Sequence, residues 1–262
     1  RSRGLGDVYK RQEIDEEDPF SGIGYWGDHQ IVYLLRLIEA LHAHQPEVLN
    51  RWLDEKAFVF ANVPYRIKSL EAIFDNPKST IIFDSDLSAK LRVQAKDKGS
   101  DSALLRSTDA SIHKANLTEK ILIPLLVKLS NFVPGGGVWM NTERPEWNDA
   151  NNALVGNGLS MVTAGHLLRY VRFCRDWWSQ LDHDKQLSLS APVADFVDSL
   201  LAIFSNKNTD PHASTADGIL RAQVVRELGL SGQYYREHVY AGNFETQRKL
   251  TLKTVLQLLE NA

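Results

Sequence analysis

Cysteine is nearly missing from this chain: Cys174 is the only one in 262 residues, so no disulfide can close within it. A lone thiol suits a reducing compartment, and the expectation is a cytoplasmic protein. No apolar run approaches the roughly 20 residues that a membrane-spanning helix needs, so no membrane partner is expected. Neither sign of charge is in excess: the net charge of −3 gives no electrostatic case for nucleic acid or an anionic membrane. There is no His-Glu-x-x-His and no cysteine pair, so no metal is expected, and no organic cofactor is implied. Gly156-Asn157-Gly158-Leu159-Ser160 does not fit Gly-x-Ser-x-Gly, which disfavours a serine-hydrolase elbow. Hydrophobic residues make up 43% and charged residues 24%, a balance that folds, and the length allows one large domain with a sizeable core.

Residues 1–12 read RSRGLGDVYKRQ. The last eleven resemble the in-frame translation of a transposon-end adapter used in making sequencing libraries, and no apolar stretch follows the basic residues as in a signal peptide. They are expected to be non-native, so that the natural chain was cut here and residues 13–262 form a single helical domain.

Hydrophobic spacing predicts helix after helix. Ile31, Leu34, Leu35, Ile38 and Leu41 mark a helix over 29–44, with Asp28 where its N-cap should stand. Further helices are expected over 46–56, 67–74, 86–96 and 117–132. The last has Asn116 or Thr118 as cap and Pro124 as a kink or new start. Residues 158–181, 191–204, 214–228, 232–240 and 245–260 complete a helical second half. The runs 58–63 and 81–83 are short enough to be extended. The fold class expected is all-α, in antiparallel helix pairs.

Between 133 and 157 the pattern breaks into a long irregular stretch, of the kind that more often serves function than packing. Pro134-Gly135-Gly136-Gly137 lacks the Lys-Ser/Thr ending of a P-loop; it reads as a flexible turn leading into Trp139, with a backbone anion nest as the alternative. Arg144-Pro145-Glu146-Trp147-Asn148-Asp149-Ala150-Asn151-Asn152 packs two carboxylates, three amides, an arginine and an indole into nine residues. Sugars need this mixture: a flat apolar surface under the ring, amides and carboxylates for the hydroxyls, and a carboxylic acid near the leaving oxygen. The same residue types also make turns and helix caps. Trp139 and Trp147 are sugar platforms or loop anchors. Trp177 and Trp178 follow an apolar helix and read as packing residues, and Cys174 as a buried, inert thiol.

Trp147-Asn148-Asp149 resembles the Trp-Asn-Asp motif of glycoside hydrolase family 94, the cellobiose phosphorylases and their relatives. Gly27-Asp28-His29-Gln30 resembles that family's Asp-Asp-His-Leu segment, which opens a barrel helix and binds the sugar in the cleaved subsite. About 120 residues separate the two, in the family's order. The chain departs from the pattern at Gly27, where the family has Asp, and at Glu146 and Ala150, where it has Asp and Gly. The resemblance implies a (α/α)6 barrel, here partial. It implies an inverting cleavage of a disaccharide or oligosaccharide with Asp149 as general acid. Asp28, His29, Arg144, Glu146, Trp147, Asn148 and Trp139 would contact the sugar.

Inorganic phosphate is then a co-substrate, or a water activated by Asp28, Glu143 or Glu146 attacks instead. The family's phosphate-binding elements are not recognisable in the chain. The alternatives are a carbohydrate-binding or scaffold barrel without catalysis, and an all-α interaction domain with no sugar role.

Overall fold

A computed structural model describes residues 27–141, 155–206 and 218–262. The chain is mostly helical, but the all-α expectation needs correction: four small antiparallel sheets lie among nine helices of the described residues.

Helix α1 spans Gly27–His44 and α2 Pro46–Trp52. Strands β1 (Phe58–Val59), β2 (Tyr65–Ile67) and β3 (Ile81–Phe83) flank α3 (Leu70–Asp75), and α4 covers Ser85–Lys98. Strand β4 (Lys114–Ala115) pairs with β1, and β2 with β3. Helix α5 (Leu117–Leu129) leads into β5 (Phe132–Val133) and β6 (Gly137–Trp139). Strand β7 (Leu159–Ser160) completes that sheet and opens α6 (Met161–Trp178). Strand β8 (Gln186–Ser190) and α7 (Ala191–Ser205) precede α8 (Gly218–Tyr240), β9 (Gln247–Thr251) and α9 (Leu252–Asn261).

Helix α5 is the centre. Its sequence is apolar on most of its surface, and all but Lys120, Ile123 and Val127 of its residues are buried. Asn116 is the cap: its side chain accepts from Glu119 N at 2.9 Å and donates to Ser188 O at 2.7 Å. Pro124 starts no new helix; α5 runs through it. Ile121, Leu122, Leu125 and Leu126 are fully buried. The β5–β6–β7 pairing brings the end of α5 beside the start of α6, and the buried Tyr170 of α6 donates its hydroxyl to Ile121 O at 3.1 Å further back along α5, so the two helices run antiparallel.

Several boundaries differ from expectation: the helices expected over 46–56, 67–74, 117–132 and 158–181 are shorter, with Ile67, Phe132 and Leu159–Ser160 taken into strands. Asp28 lies inside the first turn of α1 rather than before it. Helix α8 is continuous where a break at Gly229–Gly232 was expected. A Cβ on Gly229 would sit 2.9 Å from Leu70 Cδ1, and one on Gly232 2.7 Å from Ser130 Oγ. These glycines let neighbouring elements approach the helix instead of ending it. The expected helix over 245–260 begins instead as β9. That strand pairs with β8 because Leu187 and Leu189 alternate into the core, a period of two. Several apolar side chains remain exposed on α1 and α6: Leu37, Met161, Val162 and Leu168.

Candidate active site

Two helices that follow the candidate motifs pack side by side. Arg169 of α6 holds Glu39 of α1 through both carboxylate oxygens, at 2.8 and 2.9 Å from Nη2. One turn further on, His42 meets Phe173 and Trp177 edge-on, each with ring centres 5.7 Å apart. The contacts advance along both chains together, so α1 and α6 run parallel. Asp28 lies eleven residues before Glu39, about 16 Å along the axis; Met161 lies eight before Arg169, about 12 Å. The two helix N-termini therefore reach the same end of the bundle, level to within about 5 Å. Both point the positive end of the helix dipole there, with Ser160 Oγ accepting from Thr163 N at 3.1 Å in the first turn of α6.

The stretch joining Asn141 to Val155 leaves and returns at that end through a pinned neck. Met140 N donates to Gly158 O at 3.0 Å, and Gly156 N to Met140 O at 2.6 Å. Trp139 Nε1 donates to Gly156 O at 3.0 Å, and its ring stacks on Phe74 with centres 5.6 Å apart. Gly156 has φ +78°, and a Cβ there would lie 1.9 Å from Pro77 O, so only glycine fits. Asn141 Nδ2 donates to Asn131 Oδ1 at 2.8 Å. The Pro134–Gly136 turn is the tip of the β5–β6 hairpin, with Gly136 N bound to Val133 O at 2.9 Å and Gly135 at φ +70°. That is the turn the sequence favoured over an anion nest.

Of the expected site residues, Trp139 is at the neck, and Asp28 and His29 open α1. Arg144, Glu146, Trp147, Asn148 and Asp149 lie outside the described residues, as does Glu143. Trp177 and Trp178 are packing residues, 3% and 1% exposed. Cys174 is buried, and burial pushes its thiol far above the ordinary range, which keeps it protonated and unreactive.

A second concave region was not anticipated. A cavity of about 600 Å³ lies along one face of α5. Lys120, Ile123, Pro124 and Val127 face it, while Ile121, Leu122 and Leu125 face the core. Its other walls come from 60–67, 105–113, the end of α8 and the residues that follow it to 245, with Leu87 and Ser190. Two carboxylates line it, each held by neutral donors. Glu119 accepts from Ser190 N at 2.8 Å and Ser190 Oγ at 2.9 Å; Glu245 accepts from Thr108 N at 2.5 Å and Thr108 Oγ1 at 3.0 Å. Burial pulls the His113 imidazole below its usual 6.5, partly offset by Glu119. Burial also lowers the Lys120 ammonium to about 8. The signal was invisible to motif reading because the wall is assembled from widely separated segments.

Among the described residues, no group of three or more His, Cys, Asp or Glu side chains is placed to hold a metal ion. No helix among them is long and apolar enough to cross a membrane. No protein-family description matches the chain, and no curated protein matches it significantly.

Proposed function

We propose that the chain is part of a carbohydrate-active enzyme that cleaves a glycosidic bond with inversion, on a partial (α/α)6 barrel similar to that of glycoside hydrolase family 94. The reading rests on one observation above others: α1 and α6 are parallel neighbours whose N-termini share one end of the bundle. The segment resembling the sugar-binding motif opens α1. The segment resembling the general-acid motif leaves the pinned neck ahead of α6. The helices that carry or follow these two segments, about 120 residues apart in sequence, therefore begin at one end of the fold, which supports reading the segments as one site.

In this mechanism Asp149 donates its proton to the leaving oxygen, while phosphate or water attacks the opposite face of the sugar. Asp28 and His29 bind the ring in the cleaved subsite. Arg144, Glu146, Trp147 and Asn148 complete the contacts, and Trp139 anchors the neck with one ring face already on Phe74. When water is the nucleophile, its base is Asp28, Glu143 or Glu146. A carbohydrate-binding barrel without catalysis is the second reading. It is favoured by Gly27, which stands where the family carries its first Asp.

The test is kinetic. Asp149→Asn in the full-length protein is expected to slow turnover of an unactivated disaccharide by roughly 10²–10⁴-fold, the usual worth of general acid catalysis. The loss shrinks with a glycosyl fluoride, which needs less protonation. Asp28→Asn weakens binding without that dependence on the leaving group. Full activity of Asp149→Asn on the disaccharide removes the assignment. Sugar binding by the unaltered protein without any turnover selects the second reading.

A further inference from the structure

The cavity beside α5 holds an imbalance of charge. Lys120 is half-buried on its wall. One of its three N–H donors reaches Val59 O at 2.5 Å, and its Nζ lies 4.1 Å from the centre of the Phe60 ring. No carboxylate among the described residues comes within ion-pair reach of it. Glu119, its neighbour in sequence, is occupied by Ser190. Arg106 lines the same cavity: its Nη1 and Nη2 go to the carbonyls of Ala110 and Asp101, and its Nε is buried with no partner. Arg66 lies over the Tyr240 ring at 5.4 Å, again without an acid. A buried donor without a partner and a half-buried cation without a counter-ion each cost free energy that an anion would recover.

The apolar lining is as specific as the charge. Phe60 stacks on His113 at 6.4 Å, and Phe244 meets His113 edge-on at 4.7 Å, giving a continuous run of ring surface beside Lys120. A volume of about 600 Å³ is that of a small-molecule site.

We propose that this cavity binds a small organic anion, with its ring among Phe60, His113 and Phe244 and its carboxylate or phosphate against the Lys120 ammonium. Its lining includes none of the residues assigned to sugar cleavage, and the site stands whether or not that assignment does. Arg106 and Arg66 supply further positive charge along the wall. Glu119 and Glu245, already hydrogen-bonded, set the polar rim against which hydroxyl groups of the ligand fit.

The probes are phenyl phosphate and benzoate, with benzyl alcohol as their neutral match and benzylamine as the cation. In titration calorimetry on the full-length protein, the two anions are expected to bind at least about tenfold more tightly than benzyl alcohol, the worth of one charge-assisted hydrogen bond. Lys120→Met keeps the aliphatic stem and removes that preference; Lys120→Arg retains it. A second measurement uses the unaltered protein alone. Trinitrobenzenesulfonate labels Lys120, located by peptide mass, and phenyl phosphate slows this labelling several-fold while benzyl alcohol does not. Anions binding no better than benzyl alcohol, a preference that survives Lys120→Met, or labelling that phenyl phosphate leaves unchanged would each overturn the proposal.

Discussion

Gly156→Ala tests the neck that holds the candidate catalytic segment. Two costs add at this position. The first is conformational: φ is +78°, and placing an L side chain in the left-handed region costs about 1–2 kcal/mol. The second is steric: the new Cβ would lie 1.9 Å from Pro77 O and 2.5 Å from Pro77 C, backbone atoms that cannot swing aside. Forcing an extra carbon into packed surroundings costs about 1–3 kcal/mol more. The sum is roughly 2–5 kcal/mol, or about 5–15 °C in melting temperature for a chain of this size. Two other glycines separate the terms. Gly242 has φ +79° and nothing within 4 Å of its Cβ position, so Gly242→Ala is expected to show the conformational cost alone. Gly165 lies inside α6 with open space around it and an ordinary backbone, so Gly165→Ala gains about 0.5–1 kcal/mol. Urea and thermal unfolding of the three variants give the order Gly165→Ala, wild type, Gly242→Ala, Gly156→Ala from most to least stable. A Gly156→Ala protein as stable as Gly242→Ala would refute the contact between the neck and Pro77.

Glu119→Ala removes the acceptor of both Ser190 donors at the start of α7, leaving a buried N–H unsatisfied. A loss of about 2–4 kcal/mol in unfolding free energy is expected, and a loss under 0.5 kcal/mol would contradict the geometry. Lys120 falls from the usual 10.5 to about 8 on folding. Between these values the unfolded chain keeps a proton that the folded chain has released, so this residue makes stability rise with pH across that window. The difference in stability between wild type and Lys120→Met is expected to shift in favour of wild type from pH 8 to 10.5; no change across that range would show that burial of the ammonium has been misread.

The long helices were legible because their apolar residues repeat at helical spacing over three or more turns. Ile31, Leu35 and Ile38 of α1 are all buried, and the start of α5 falls at the cap residue Asn116. The strands were harder to read. Leu187 and Leu189 alternate as a buried strand does, but five residues carry little periodicity, and the partner strand is 57 or more residues away in the chain. Gly229 and Gly232 misled for a physical reason: glycine weakens an isolated helix, yet here Leu70 and Ser130 occupy the space that a side chain would need. The candidate catalytic residues rest on a local motif and lie outside the described residues. The shared end of α1 and α6 was not legible, because only the Arg169–Glu39 and His42–Phe173 contacts fix their direction. The cavity had no local signature at all: Lys120, Phe60, His113 and Phe244 meet only through tertiary packing.

The proposed activity is cleavage of a glycosidic bond at the end of the bundle where α1 and α6 begin. Its most direct test is product analysis on the full-length protein. A panel of disaccharides and oligosaccharides is incubated with and without inorganic phosphate, and the anomeric form of each product is followed by proton NMR from the first minutes. Release of a sugar phosphate or a free sugar with inverted anomeric configuration is expected, abolished in Asp149→Asn. Release with retained configuration, or equal release by the Asp149→Asn protein, would contradict it.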